Sequence, residues 1–177
     1  VVIVMVAGSP VEMPWADRAN SIVWSWYGGC ESGTALAEVL LGTVNPSGHL
    51  PESFPVRADD CPAHTHGTFG VSGEVRYDED IYVGYRYYET KHVPVRFCFG
   101  HGLTYTSFNY TDLRIEIEDG MIRIRCDIEN TGSRAGSAVP QLYVRLEDTG
   151  EDRPVAELKG DDKIRLEPGQ RPALIHI

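Results

Sequence analysis

An unbroken apolar run, Val1-Val2-Ile3-Val4-Met5-Val6, opens the chain and stops at the turn Ala7-Gly8-Ser9-Pro10. A strand without polar alternation has to be covered on both faces, the pattern of a central parallel strand in an α/β sheet. A second short run, residues 21–26, ends at Tyr27-Gly28-Gly29. Between the two, Pro14-Trp15-Ala16-Asp17 suits a short helical turn, where the missing proline N–H costs nothing. Leu36, Val39 and Leu40 then recur at helical spacing within residues 31–42, and Gly42 is placed to end that helix in a left-handed conformation. Asn45-Pro46-Ser47-Gly48 hands the chain on to an extended stretch at 50–55: proline fixes one backbone angle and Gly48 permits a positive one. Strand, crossover, strand and helix make a piece of a doubly wound α/β layer.

Residues 56–106 carry no clear period and are rich in rings, among them Tyr77, Tyr82, Tyr85, Tyr87, Tyr88, Phe97, Phe99 and Tyr105. Such stretches wrap a domain and pack their rings against it. From Phe108 the pattern turns to alternation. Leu113, Ile115 and Ile117 share one face, Ile122, Ile124 and Cys126 follow in a second strand, and Glu118-Asp119-Gly120 makes the hairpin turn between them. Asn130-Thr131-Gly132 is another turn, residues 139–144 a third strand, Glu167-Pro168-Gly169-Gln170 a further turn, and residues 173–177 the start of one more strand. Short, regularly spaced strands of this kind predict an all-β sandwich of the immunoglobulin or fibronectin type III kind. The expected organisation is therefore an α/β sandwich fragment, with mostly parallel strands and helices, over 1–106, and a fibronectin type III-like domain over 107–177 that is incomplete at its C-terminus.

Composition narrows the partners. The 177 residues carry a formal net charge of −10, and that surface repels phosphate backbones and anionic headgroups, so neither nucleic acid nor membrane is the expected partner. No apolar run approaches the ~20 residues of a membrane helix, and residues 1–7 lack the basic flank of a leader and read as a buried strand. Cys30, Cys61, Cys98 and Cys126 lie scattered, with no metal-ligand spacing; free thiols are expected, which tilts the location toward the cytoplasm over secretion. Asn109-Tyr110-Thr111 is a glycosylation sequon that matters only in a secreted protein.

Several phrases together resemble the C-terminal part of family 3 glycoside hydrolases. They are Ala7-Gly8-Ser9-Pro10-Val11-Glu12-Met13-Pro14-Trp15; the stretch Gly33-x-Ala35-Leu36-Ala37-x-Val39-Leu40-x-Gly42-x-Val44-Asn45-Pro46-Ser47-Gly48-x-Leu50-Pro51; Val83-Gly84-Tyr85-Arg86-Tyr87-Tyr88; and Phe99-Gly100-His101-Gly102-Leu103-Thr104-Tyr105-Thr106. Asn130-x-Gly132, Gln141-Leu142-Tyr143-Val144 and Arg153-Pro154-x-x-Glu157-Leu158-Lys159-Gly160 are similar to that family's fibronectin-like module. The chain departs from the family at Cys30, Ser32, Cys98, Asp80 (where glycine is usual) and Asp161. The resemblance implies a retaining β-glucosidase that acts on terminal non-reducing β-D-glucosyl residues of β-glucosides or oligosaccharides. In that reading this portion shapes and braces the cleft, with no cofactor and no metal. A free-standing β-sandwich module for carbohydrate binding or adhesion is the alternative.

A retaining glycosidase works with two carboxyl groups about 5–5.5 Å apart. The resemblance places its Asp nucleophile, in a Ser-Asp-Trp context, and its Glu acid/base upstream of this chain, so no catalytic residue is expected here and the chain alone is expected to be inactive. Glu31 matches the opening of a helix, where the dipole favours a carboxylate. Glu79, in Tyr77-Asp78-Glu79-Asp80, is either a carboxylate that satisfies backbone donors or Arg86, or a substrate contact. Trp15, just after a strand end where α/β ligands gather, is either a sugar platform or a core residue. His64 and His66 lack an acidic or cysteine partner at ligand spacing, so no metal is expected. Ser9 lacks the flanking glycines of a nucleophile elbow.

Overall fold

The computed structural model describes residues 1–67, 69–70, 73, 75–118, 120–147 and 150–171. The expected strand at 173–177 and the hairpin tip Asp119 lie outside them. The chain divides into two compact units: one holds residues 1–37, 50–101 and 145–156, the other 38–49, 102–144 and 157–177.

In the first unit β1 (Val2–Met5) and β2 (Ser21–Trp24) pair in parallel, Val2 opposite Ser21 through Met5 opposite Trp24. A 3-10 turn, Ala16–Arg18, follows Pro14 as its proline suggests. β3 (Phe54–Pro55) pairs antiparallel with β4 (Val95–Phe97). Met13, Ala16 and Phe54 are the buried core, flanked by Trp15, Ile22, Trp24, Trp26, Leu50 and Phe97. Phe54 takes edge contacts from Trp24 at 4.7 Å and Phe97 at 6.3 Å between ring centres, the geometry that aligns ring edge with ring face.

Two expectations need correction here. β1 is covered only in part: it pairs only with β2 among the described residues, Ile3, Val4 and Met5 are half-buried, and Val2 and its flanks Val1 and Val6 are largely exposed. Parallel pairing is also confined to this one ladder, since the other described pairs are antiparallel. The irregular aromatic stretch holds more structure than its pattern suggests. It contains a 3-10 turn at Ala58–Asp60, α2 (Pro62–Thr65) and α3 (Tyr85–Thr90), all too short to show an apolar period.

α1 (Ser32–Leu41) forms where the spacing of Leu36, Val39 and Leu40 predicts it and ends at Gly42, whose φ of 75° is in the left-handed region. That residue, not Gly48, supplies the positive φ of the handover. In the second unit Arg134 Nη1 donates to Gly42 O at 2.6 Å and Tyr105 Oη to Val39 O at 2.8 Å, so carbonyls orphaned by the helix end are satisfied. Asn45 ties the following turn together. Its Oδ1 accepts from Thr104 Oγ1 at 2.8 Å and Tyr105 N at 2.7 Å, and its Nδ2 donates to Ala135 O at 2.9 Å.

The hairpin from Phe108 alternates as predicted, and a strand also forms within the expected stretch 139–144. β5 (Phe108–Glu118) and β6 (Met121–Asn130) form the antiparallel hairpin, with a bulge where Asp112 takes φ 53°. β7 (Gly136–Ala138) pairs with β10 (Ile164–Leu166), and β8 (Gln141–Val144) with β9 (Glu157–Asp161). Pro140, which has no N–H to donate, separates β7 from β8. Ile128, Ala138 and Leu166 are the buried core, with Phe108 and Ile164 packed on it.

Candidate functional site

Within the first unit, the loop that carries Glu79 is built from short-range hydrogen bonds. Asp80 N donates to Tyr77 O at 3.2 Å and Tyr82 N to Glu79 O at 2.9 Å. Asp80 sits at φ 49°. A left-handed residue there explains why glycine suits the position, and Asp is among the few side chains that adopt this conformation readily. Glu79 is half-buried, and its Oε2 is buried without a hydrogen-bond partner among the described residues. Neither a backbone donor nor Arg86 satisfies that atom. Arg86 instead lies with its guanidinium 5.8 Å from the Tyr85 ring centre, and its own Nε is buried without a hydrogen-bond partner among the described residues.

Tyr82 fixes this loop. The ring is buried, Lys91 Nζ sits 4.3 Å from its centre, and the hydroxyl donates a hydrogen bond to Asp152. That bond, then burial, then the negative charges of Asp152 and Asp80 hold the phenol above its ordinary pKa, so it stays a donor. A second fastening lies at α3, where Val155 N donates to Thr90 Oγ1 at 3.0 Å. Tyr88 is buried in the same helix, and burial first, then Cys61, raises its phenol well above the usual range. Tyr85 stacks on Phe99 at 5.1 Å.

Trp15 belongs to a different cluster, partly buried against Met13, Ala16 and Phe54. Glu31 stands just before α1 and accepts from Thr34 Oγ1 at 3.0 Å, a helix-opening role. His64 Nδ1 shares a hydrogen bond with Ala58 O at 2.9 Å, and its ring meets Phe69 at 4.9 Å. All four cysteines are unpaired, Cys30 and Cys98 exposed; burial raises the Cys126 thiol, which donates to Thr111 O. Sequence reasoning missed Asp152. It lies 70 residues from Tyr82, and an acidic residue in a polar loop carries no local signal of a distant partner.

Residues 1–105, more than half of the chain, match the Glycosyl hydrolase family 3 C-terminal domain, and residues 138–173 match the Fibronectin type III-like domain. The chain belongs to glycosyl hydrolase family 3. It is 46% identical to a probable β-glucosidase I of Aspergillus fumigatus, across 96% of this chain and 21% of that protein. It is 43% identical to thermostable β-glucosidase B of Acetivibrio thermocellus, across 96% of this chain and 23% of that one. The structure of β-glucosidase 3B from Thermotoga neapolitana in complex with glucose superposes with a TM-score of 0.93 at 42% identity, covering 100% of this chain and 26% of its own. The chain thus spans between a fifth and a quarter of the length of the curated relatives it matches.

Proposed function

We propose that residues 1–177 are the C-terminal part of a retaining β-glucosidase that removes terminal non-reducing β-D-glucosyl residues. They shape and brace the cleft, while the nucleophile and acid/base come from upstream. The observation that carries this reading is identity of 42–46% over essentially the whole chain to β-glucosidases, one of them solved with glucose bound. Within it, residues 1–106 are the second half of an α/β sandwich domain and 107–177 a fibronectin type III-like sandwich. The family matches at 1–105 and 138–173 support that division.

Glu79 is assigned a structural role in its loop, because its Oε2 is closed off from solvent and so from a sugar hydroxyl. The core seat of Trp15 supports a packing role for that ring. An oxocarbenium-like transition state needs a facing carboxylate and a proton donor, and binding by a bracing module supplies neither. Residues 1–177 expressed alone should therefore show no release of aryl leaving group from an aryl β-glucoside above background, while the complete enzyme turns it over. Hydrolysis by the isolated chain would overturn the bracing role. A complete enzyme that cleaves aryl β-xyloside or N-acetyl-β-glucosaminide but not the glucoside would overturn the sugar assignment.

A further inference from the structure

We propose that Tyr27 is a stacking platform for a pyranose ring of the substrate and so a specificity-determining residue; the proposal rests on the full-length protein being a β-glucosidase. β1 and β2 run parallel, so the loops that leave Met5 and Trp24 open at the same edge, the carboxyl ends of the strands, where ligands of α/β layers gather. Ser25 N donates to Met5 O at 2.8 Å and carries the pairing to the end of that edge. The next residue, Trp26, takes φ 52°, an outlier for so large a side chain. Its ring is held at the core, T-shaped against Trp24 at 5.9 Å and Phe54 at 6.4 Å between ring centres. Strained backbone that the surrounding packing holds in place clusters at ligand sites.

Tyr27 follows this bend and is 77% exposed, so a ligand can reach its ring. The ring nevertheless has a seat. Its edge lies along the turn of the first loop, where a Cβ on Gly8 would come within 2.5 Å of Cε2 and 3.2 Å of Cζ and Oη. Gly28 draws the second loop tight onto the start of α1, since a Cβ there would lie 2.2 Å from the Ser32 Cβ. A ring with two torsions, held along one edge and otherwise open, binds with little loss of entropy. The class of ligand follows from what the two loops hold. Residues 6–11 and 26–31 contain no lysine or arginine, so they offer an anion no countercharge. A β-glucosyl ring is neutral, and with its hydroxyls equatorial it turns C–H groups to both faces. That suits an apolar aromatic face with a hydroxyl at its rim.

Steady-state kinetics of the proposed full-length β-glucosidase test this on two substrates: a β-linked glucose disaccharide, with two pyranose rings, and methyl β-glucoside, with one. Tyr27→Ala should raise KM for the disaccharide about tenfold with kcat within about twofold, the signature of lost uniform binding. Tyr27→Phe restores the ring and should recover most of the loss. Gly8→Ala pushes the ring off its seat without removing it. It should raise KM by itself and add nothing in the Tyr27→Ala background, because both act on one contact, and it carries the test where Tyr27→Ala does not fold. A rise on both substrates puts the terminal glucosyl ring on Tyr27, and a rise on the disaccharide alone puts the leaving sugar there; either supports the proposal. KM unchanged on both overturns it, and a fall in Tm alone would show the ring packing against the rest of the protein instead. A Gly8→Ala effect that persists without the Tyr27 ring also overturns it. If the unsubstituted protein hydrolyses neither substrate, the β-glucosidase reading itself fails and the proposal with it.

Discussion

Asn130 shows how much one side chain can organise. It is fully buried, and its amide uses its whole hydrogen-bonding capacity. Oδ1 accepts from Thr106 Oγ1 at 2.6 Å and Gly132 N at 3.1 Å; Nδ2 donates to Arg134 O at 2.8 Å and Leu166 O at 3.0 Å. Three stretches of the second unit, at residues 106, 132–134 and 166, meet on one residue, which gives the motif Asn130-x-Gly132 a physical meaning. Asn130→Ala strands two carbonyls and two donors in the interior and should destabilise the protein by about 2–4 kcal/mol, read as a lower midpoint in urea. Asn130→Asp keeps both acceptor contacts but turns an oxygen toward two carbonyls, so it should be no milder at neutral pH. A midpoint unchanged by both substitutions would mean that the network does not hold the unit together. Asn45 plays a comparable part at the end of α1, with three hydrogen bonds of its own.

At the scale of elements, glycines mark where chain segments press closest, and the two most telling ones differ in kind. A Cβ on Gly102 would lie 2.4 Å from Gly48 O, a backbone atom held by its own turn. A Cβ on Gly42 would meet only the Arg134 guanidinium at 3.0 Å, the end of a flexible side chain, which can shift by a few tenths of an ångström while still reaching Gly42 O, so the main cost is that of φ 75°. Gly42→Ala should therefore cost about 1 kcal/mol. Gly102→Ala should cost more, and differential scanning calorimetry should rank its Tm lower. Equal Tm values for the two would show that the backbone at 102 can retreat. Elements of this kind were legible to different degrees. α1 announced itself through Leu36, Val39, Leu40 and Gly42, and the β5–β6 hairpin through strict alternation, because each has a period that survives along the chain. α3 and β7, β9 and β10 did not, since six residues or fewer hold too little of any period. The site was half legible. Glu79 stood out as an acidic residue among rings, whereas Asp152 became meaningful only once the fold brought it to Tyr82. Asp80 reads as an odd replacement for glycine until its left-handed backbone explains the preference.

The molecule as a whole presents apolar surface that a self-sufficient protein keeps covered. In the first unit Val1, Val2 and Val6 surround a β1 edge that pairs only with β2 among the described residues. In the second unit Leu113, Ile115, Ile117 and Ile122 lie on one face of the hairpin, since Ile117 stands opposite Ile122 and Ile115 opposite Ile124, and all four are 64–75% exposed. Single exposed aliphatic residues are ordinary, but a row of four on one sheet face is a patch, and an unpaired edge invites another strand. The relatives are four to five times as long as the stretch that matches, and the proposed role as a bracing part gives these surfaces a use within the longer protein. Residues 1–177 expressed alone should therefore bind the dye ANS and self-associate in sedimentation velocity, and Ile115→Lys with Ile117→Lys should reduce both. These positions sit outside the two buried cores, so the double substitution should leave the fold intact by circular dichroism. The proposed full-length β-glucosidase should bind little dye under the same conditions. A monomeric isolated chain that ignores ANS and melts in a single cooperative step would show that these faces need no cover, and the bracing role would lose its physical basis.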